Sequence, residues 1–173
     1  HLEPGEALFL PAGVPHAYLQ GAGVEIMASS DNVLRAGLTP KPVDAGELLR
    51  VVRWEAGRPP VIAPLPLTDT PEAVYPAPAG EFDLRRLDLG RDQSVARRAH
   101  GPETLLILGD DPSTRVTVTL DGQDGEQALG CGQAVLVAHG TGYRLAADGP
   151  ATVFRARLPG GDPAGTFRGR TPT

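Results

Sequence analysis

The 173 residues contain one cysteine, one methionine and one tryptophan. A lone Cys131 excludes an intrachain disulfide framework and any multi-cysteine zinc finger. Lysine is as scarce: of 16 basic residues only Lys41 is not arginine. The net charge is −5 and no Lys/Arg block occurs, so a nucleic-acid partner is not expected. No apolar run approaches the roughly 20 residues that a membrane helix needs, and no membrane partner is expected. An initiator Met and a signal-peptide pattern are also missing; the chain opens at His1 and reads as the C-terminal piece of a longer protein. Glycine (22) and proline (18) are plentiful, as in short strands joined by tight turns, and 40% hydrophobic content argues against disorder.

The pattern along the chain is that of an all-β-dominated protein. Ala7 to Leu10 reads as a buried strand, Pro11 to Pro15 as a turn, and His16 to Leu19 and Val24 to Ala28 as further strands. Ser29 to Asn32 is positioned to cap a helical turn over Val33 to Ala36. Asp44 and Glu47 have capping-box spacing and predict a helix from Ala45 to about Arg53. Seven prolines between 57 and 80 mark an extended connector. Strands return over 82–89, 104–108, 115–120, 134–138, 142–146 and 151–157, and 159–173 reads as a flexible tail.

Residues 4–19 (PGEALFLPAGVPHAYL) echo 131–146 (CGQAVLVAHGTGYRLA) at an offset of 127, with Gly5, Ala7 and Gly13 repeated as Gly132, Ala134 and Gly140. The strand–turn–strand order repeats as well. Two copies of one β module, each a small barrel or jelly roll, are expected. In the second copy an apolar interior is expected from Leu106, Leu108, Val116, Val118, Val135, Val137 and Val153.

The spacing Gly5-x5-Pro11-x-Gly13-x2-His16 resembles the second half of the cupin metal motif. Gly5 lets the chain turn into a strand, Pro11-x-Gly13 bends it, and His16 begins the return, where a neutral imidazole can bind a divalent cation. A satisfied core histidine is the alternative. Tyr143 replaces His16 in the second copy, so that copy is expected to be metal-free. His100-Gly-Pro-Glu103 reads as a surface loop. Glu25 shares a strand face with Met27, and Asp31, Arg35 and Lys41 follow; a carboxylate beside two cations suits a phosphorylated or polyhydroxylated ligand, or simply a salt-bridged turn.

The stretch PHAYLQGAGVEIMASSDNVLRAGLTPK closely resembles the C-terminal signature of type I phosphomannose isomerases. The resemblance implies tandem cupin-like barrels, the first truncated at its N-terminus, and a cytoplasmic zinc-dependent isomerase acting on a sugar-phosphate substrate. It implies residues 1–45 in the catalytic barrel, 46–80 as helix and Pro-rich connector, and 81–158 as the second module. It implies His16 as a zinc ligand, Arg35 and Asp31 as catalytic groups, and Tyr18, Glu25 and Lys41 at the substrate. The family's other zinc ligands lie upstream of this segment, so the missing N-terminal portion of the same enzyme is the expected partner, and the isolated piece is expected to be inactive. A non-catalytic sugar-binding or regulatory cupin module, or a metal-dependent cupin oxygenase, are the competing readings.

Overall fold

The computed structural model describes residues 1–30, 32–68 and 70–160, and the chain divides into two units, His1–Ile62 and Ala63–Thr173. Architecture is dominated by twelve short strands and one helix among the described residues.

In the first unit, β1 (Ala7–Leu8) pairs antiparallel with β2 (Val61–Ile62), Ala7 opposite Ile62. Helix α1 (Ala45–Val51) starts at Asp44, whose Oδ1 accepts the Glu47 N–H at 2.9 Å. Glu47 does not reach back to the cap. It instead forms two bonds with Arg50, at 2.9 and 2.7 Å, so only half of the expected capping box forms. The helix stops two residues short of Arg53 because Val52 turns extended. The Arg53 N–H then bonds the Gly13 carbonyl at 2.8 Å, tying the Pro11–Val14 turn to the chain leaving α1. Gly13 has φ +83°, and a Cβ there would lie 2.8 Å from the Val51 carbonyl oxygen. Both facts demand glycine.

Neither His16–Leu19 nor Val24–Ala28 forms a strand, and Val33–Ala36 forms no helical turn. Val24, Ile26 and Ala28 are half-buried while Glu25 and Met27 are exposed, so the alternation is real. A strand also needs a hydrogen-bonded neighbour, and the described residues supply none there. No described residue of this unit is fully buried.

The second unit is a two-sheet β structure with its own core. One sheet has the order β10 (Ala134–Val137), β7 (Glu103–Leu108), β12 (Ala151–Arg157), β5 (Asp83–Leu89), β4 (Glu72–Tyr75) and β3 (Leu65–Pro66). The other has the order β6 (Ser94–Arg98), β11 (Gly142–Ala147), β8 (Val116–Leu120) and β9 (Glu126–Leu129). Leu87, Leu105, Ile107 and Val153 from the first sheet meet Val116, Val118 and Leu145 from the second in one core cluster. Pro66 is tolerated because β3 is an edge strand.

The echo is legible in three dimensions. Gly5, Gly13, Gly132 and Gly140 all have φ between +79° and +91°. The turn bonds repeat at the same offset: Glu6 N–H to Glu3 O and Gln133 N–H to Gly130 O, then Val14 N–H to Pro11 O and Thr141 N–H to Ala138 O.

The expected inner face of β7 is reversed. Leu105 and Ile107 are buried and Leu106 and Leu108 are not. Residues 105–108 are apolar on both faces, so alternation alone does not choose between them. Register does: Leu105 lies opposite Arg155, and Ile107 opposite Val153, on the buried face of β12.

Candidate functional site

Three of the residues singled out in the sequence come together in the first unit. The His16 ring meets the Tyr18 ring edge-on, with centroids 5.9 Å apart. His16 Nδ1 lies 3.2 Å from the Val14 carbonyl oxygen. Assigning the proton to Nδ1 makes that a donated hydrogen bond and leaves the Nε2 lone pair outward, the arrangement of a ligand histidine held by a carbonyl. Tyr18 in turn faces Glu25. Partial burial raises the phenol above its ordinary pKa, and a hydrogen bond to the Glu25 carboxylate, with its charge, raises it further. His16, Tyr18 and Glu25 thus lie close together on an exposed surface.

Arg35 and Lys41 are exposed, and neither side chain has a hydrogen bond or ion pair among the described residues. The Lys41 backbone N–H bonds Thr39 Oγ1 at 3.2 Å, stiffening the loop that carries it. Asp31 lies outside the described residues, as do 161–173 of the expected tail. The helical turn that would set Asp31 four residues before Arg35 on one face does not form.

Among the described residues, no group of three or more His, Cys, Asp or Glu could hold a metal ion. His16 fits one ligand position and not a whole zinc centre, which takes three or four protein ligands. No helix among the described residues is long and apolar enough to cross a membrane.

The second unit contains a constellation that periodicity did not reveal. Glu72, Arg85, Glu103, Arg155 and Arg157 are all buried beneath the sheets. Arg155 holds Glu103 through Nη2 at 3.1 and 2.9 Å and Nε at 3.3 Å, and bonds Glu72 through Nη1. Glu72 Oε2 lies 3.5 Å from Arg85 Nη1, Arg85 pairs with Asp83 at 3.1 Å, and Asp83 lies 3.5 Å from Arg157. The expected apolar interior is present around Val116, Val118, Val137 and Val153, and buried with it is a chain of alternating charges that was not expected. Glu103, expected in a surface loop, starts β7 and is 1% exposed. The signal was present in the strand patterns. Arg85-Leu87-Leu89 and Ala151-Val153-Arg155-Arg157 each share one face with the core.

No family model matches the chain. Known proteins do. It is 38% identical over 128 residues to the mannose-6-phosphate isomerase of Escherichia coli, covering 74% of this chain and 33% of that protein. It is 34% identical over 158 residues to mannose-6-phosphate isomerase 1 of Arabidopsis thaliana, covering 91% of this chain and 35% of that protein. The crystal structure of apo mannose 6-phosphate isomerase from Salmonella typhimurium superimposes with a TM-score of 0.55 at 28% identity, over 76% of this chain and 32% of that one. This chain is similar to the C-terminal portion of mannose-6-phosphate isomerases. It spans about a third of the length of the curated relatives it matches. Its mostly β architecture, with one short helix among the described residues, matches the cupin-like fold of the phosphomannose isomerase structures.

Proposed function

We propose that the chain is the C-terminal part of a zinc-dependent isomerase interconverting mannose 6-phosphate and fructose 6-phosphate, and that its first unit carries this chain's share of the active site. The observation that carries the reading is the 38% identity to the Escherichia coli enzyme over 74% of the chain. The bare first unit supports it. Leu19, Leu38 and Trp54 are 95%, 100% and 76% exposed, and none of its described residues is buried. Apolar surface on that scale in a unit without a core needs further chain to cover it, and the other two-thirds of the enzyme is the proposed cover.

Aldose–ketose isomerisation moves a proton between C1 and C2 through an enediolate, which requires a base near the carbons and positive charge near the oxygens. Arg35 stabilises the developing oxyanion or grips the phosphate, its planar fork suiting either. Lys41 adds a second cation for the phosphate. Tyr18 and Glu25, already coupled, bind sugar hydroxyls, and Asp31 orients Arg35 or relays a proton. Zinc, where bound, would supply charge stabilisation at the sugar oxygens, and His16 is the ligand proposed from this chain. The natural compartment is the cytoplasm.

The test is a chimera in which this chain replaces the C-terminal third of the Escherichia coli enzyme. Conversion of mannose 6-phosphate to fructose 6-phosphate followed by NMR is the expected result, with no conversion by the 173 residues alone. A folded, zinc-loaded chimera without turnover would refute the assignment.

A further inference from the structure

Arg155 is one of three buried arginines among the described residues of the second unit; Glu72 also faces Arg85 at 3.5 Å and Arg97 at 3.8 Å, while Glu103 is held by Arg155. Arg155 is 1% exposed, and the groups that face it, Glu72, Glu103 and Tyr143, are 3%, 1% and 2% exposed. They come from four different strands, β12, β4, β7 and β11. Both Glu103 oxygens receive the guanidinium, Glu72 receives it from another edge, and the Tyr143 hydroxyl donates to Glu103 Oε2 at 2.8 Å, closing the carboxylate's remaining side. Two anions that deep in a protein cannot stand without a cation, because each loses its hydration on burial. Burial works against the charged guanidinium, yet the carboxylates of Glu72 and Glu103 outweigh it and keep Arg155 firmly protonated. Tyr143 also occupies the repeat position of His16 in the first module, 127 residues earlier.

We propose that Glu72, Glu103 and Tyr143 form a guanidinium-selective cation cage, and that Arg155 is a tethered ligand filling it. The second module thus retains a cation in its interior but supplies it from its own chain. It is closed to metal ions and to sugar phosphates. The planar fork matters as much as the charge, since one guanidinium serves Glu103 with two nitrogens while a third reaches Glu72. None of this depends on the isomerase assignment.

Arg155→Ala deletes a fragment with the shape of ethylguanidinium, so that compound is the probe. In the 173-residue chain, Arg155→Ala is expected to lower the thermal midpoint by more than about 12 °C. Millimolar ethylguanidinium should restore at least half of the loss with saturation, while propylammonium restores little and the wild type responds to neither. If Arg155→Ala does not fold alone, the same comparison is made on refolding yield with each compound present. Absence of rescue, or equal rescue by propylammonium, overturns the cage. A second set keeps the proposal testable without rescue. Arg155→Met should be strongly destabilised, and adding Glu103→Gln to it should recover stability, because the carboxylate that lost its cation is gone, whereas Glu72 keeps Arg85 at 3.5 Å. An Arg155→Met chain as stable as the wild type, or no recovery in the double variant, overturns it equally. Every readout is a midpoint or yield, so failure here is distinct from a failure of the isomerase reading, which only turnover reports.

Discussion

Tyr143→Phe removes one oxygen and nothing else from the interior of the second unit. The ring stays, so no cavity opens, and the loss is confined to the hydroxyl that donates to Glu103 at 2.8 Å. An ordinary neutral hydrogen bond contributes about 0.5–1.5 kcal/mol, and one to a charged group about 1.5–3 kcal/mol. The acceptor is an ionised carboxylate 1% exposed, so the higher range applies. The ceiling is set by Arg155, which keeps its bonds to Glu103 in the variant. The carboxylate is therefore not stranded, and the cost stays below the roughly 3–5 kcal/mol of breaking a buried ion pair. At about 4–8 °C per kcal/mol for a domain of this size, the midpoint should fall by at least about 6 °C. Thermal unfolding followed by far-ultraviolet circular dichroism measures it. A shift under about 2 °C would refute the reasoning. The pH dependence gives a second check. Burial raises the Tyr143 phenol well above its usual 10.0, and the negative charge and hydrogen bond of Glu103 raise it further against the lowering field of Arg155. The native state therefore holds this proton more tightly than the unfolded chain does. The associated stability is intact below about pH 10 and falls as pH rises beyond it, and Tyr143→Phe should flatten that fall.

Other outcomes follow from the first unit. Gly13→Ala places a Cβ 2.8 Å from the Val51 carbonyl at φ +83°, at a cost of about 1–3 kcal/mol, and should abolish hydrogen-exchange protection of the Arg53 amide bonded to Gly13. In the active chimera, His16→Ala should strip zinc while Tyr143→Phe keeps it, as metal analysis of the two side by side would show; the opposite pattern exchanges the roles of the two modules. Arg35→Lys in the same protein keeps the charge and loses the fork, and should lower turnover about ten- to a thousandfold with little change in melting; near-normal turnover removes Arg35 from the mechanism.

Much of the fold was legible because it rests on local chemistry. Asp44 predicts the start of α1 since its side chain caps the helix whatever lies beyond it. The repeated glycines predict the repeated turns because only glycine takes positive φ at so little cost. Strands β5, β7, β8, β10, β11 and β12 coincide with segments expected from alternation and apolar content. His16, Tyr18 and Glu25, chosen from spacing and resemblance, lie close together, although their backbone is not the expected pair of strands.

What alternation could not determine is which face of a two-sidedly apolar strand turns inward. In β7 that choice followed from pairing with β12, which buried Leu105, Ile107 and Glu103 together. β4, β6 and β9 were missed because their Pro-rich, Arg-rich and polar segments lack a strand's usual composition; their ladders come from neighbours already in place. By itself the sequence determined the turns, the helix start, the repeat and the family resemblance, each a matter of a few adjacent residues or of matching text. The tertiary structure alone decided that Glu72, Glu103 and Arg155, separated by as many as 83 residues, meet in the interior. Burial makes an unpaired charge too costly to keep, but which charges pair depends on strand order and register, which no local pattern encodes.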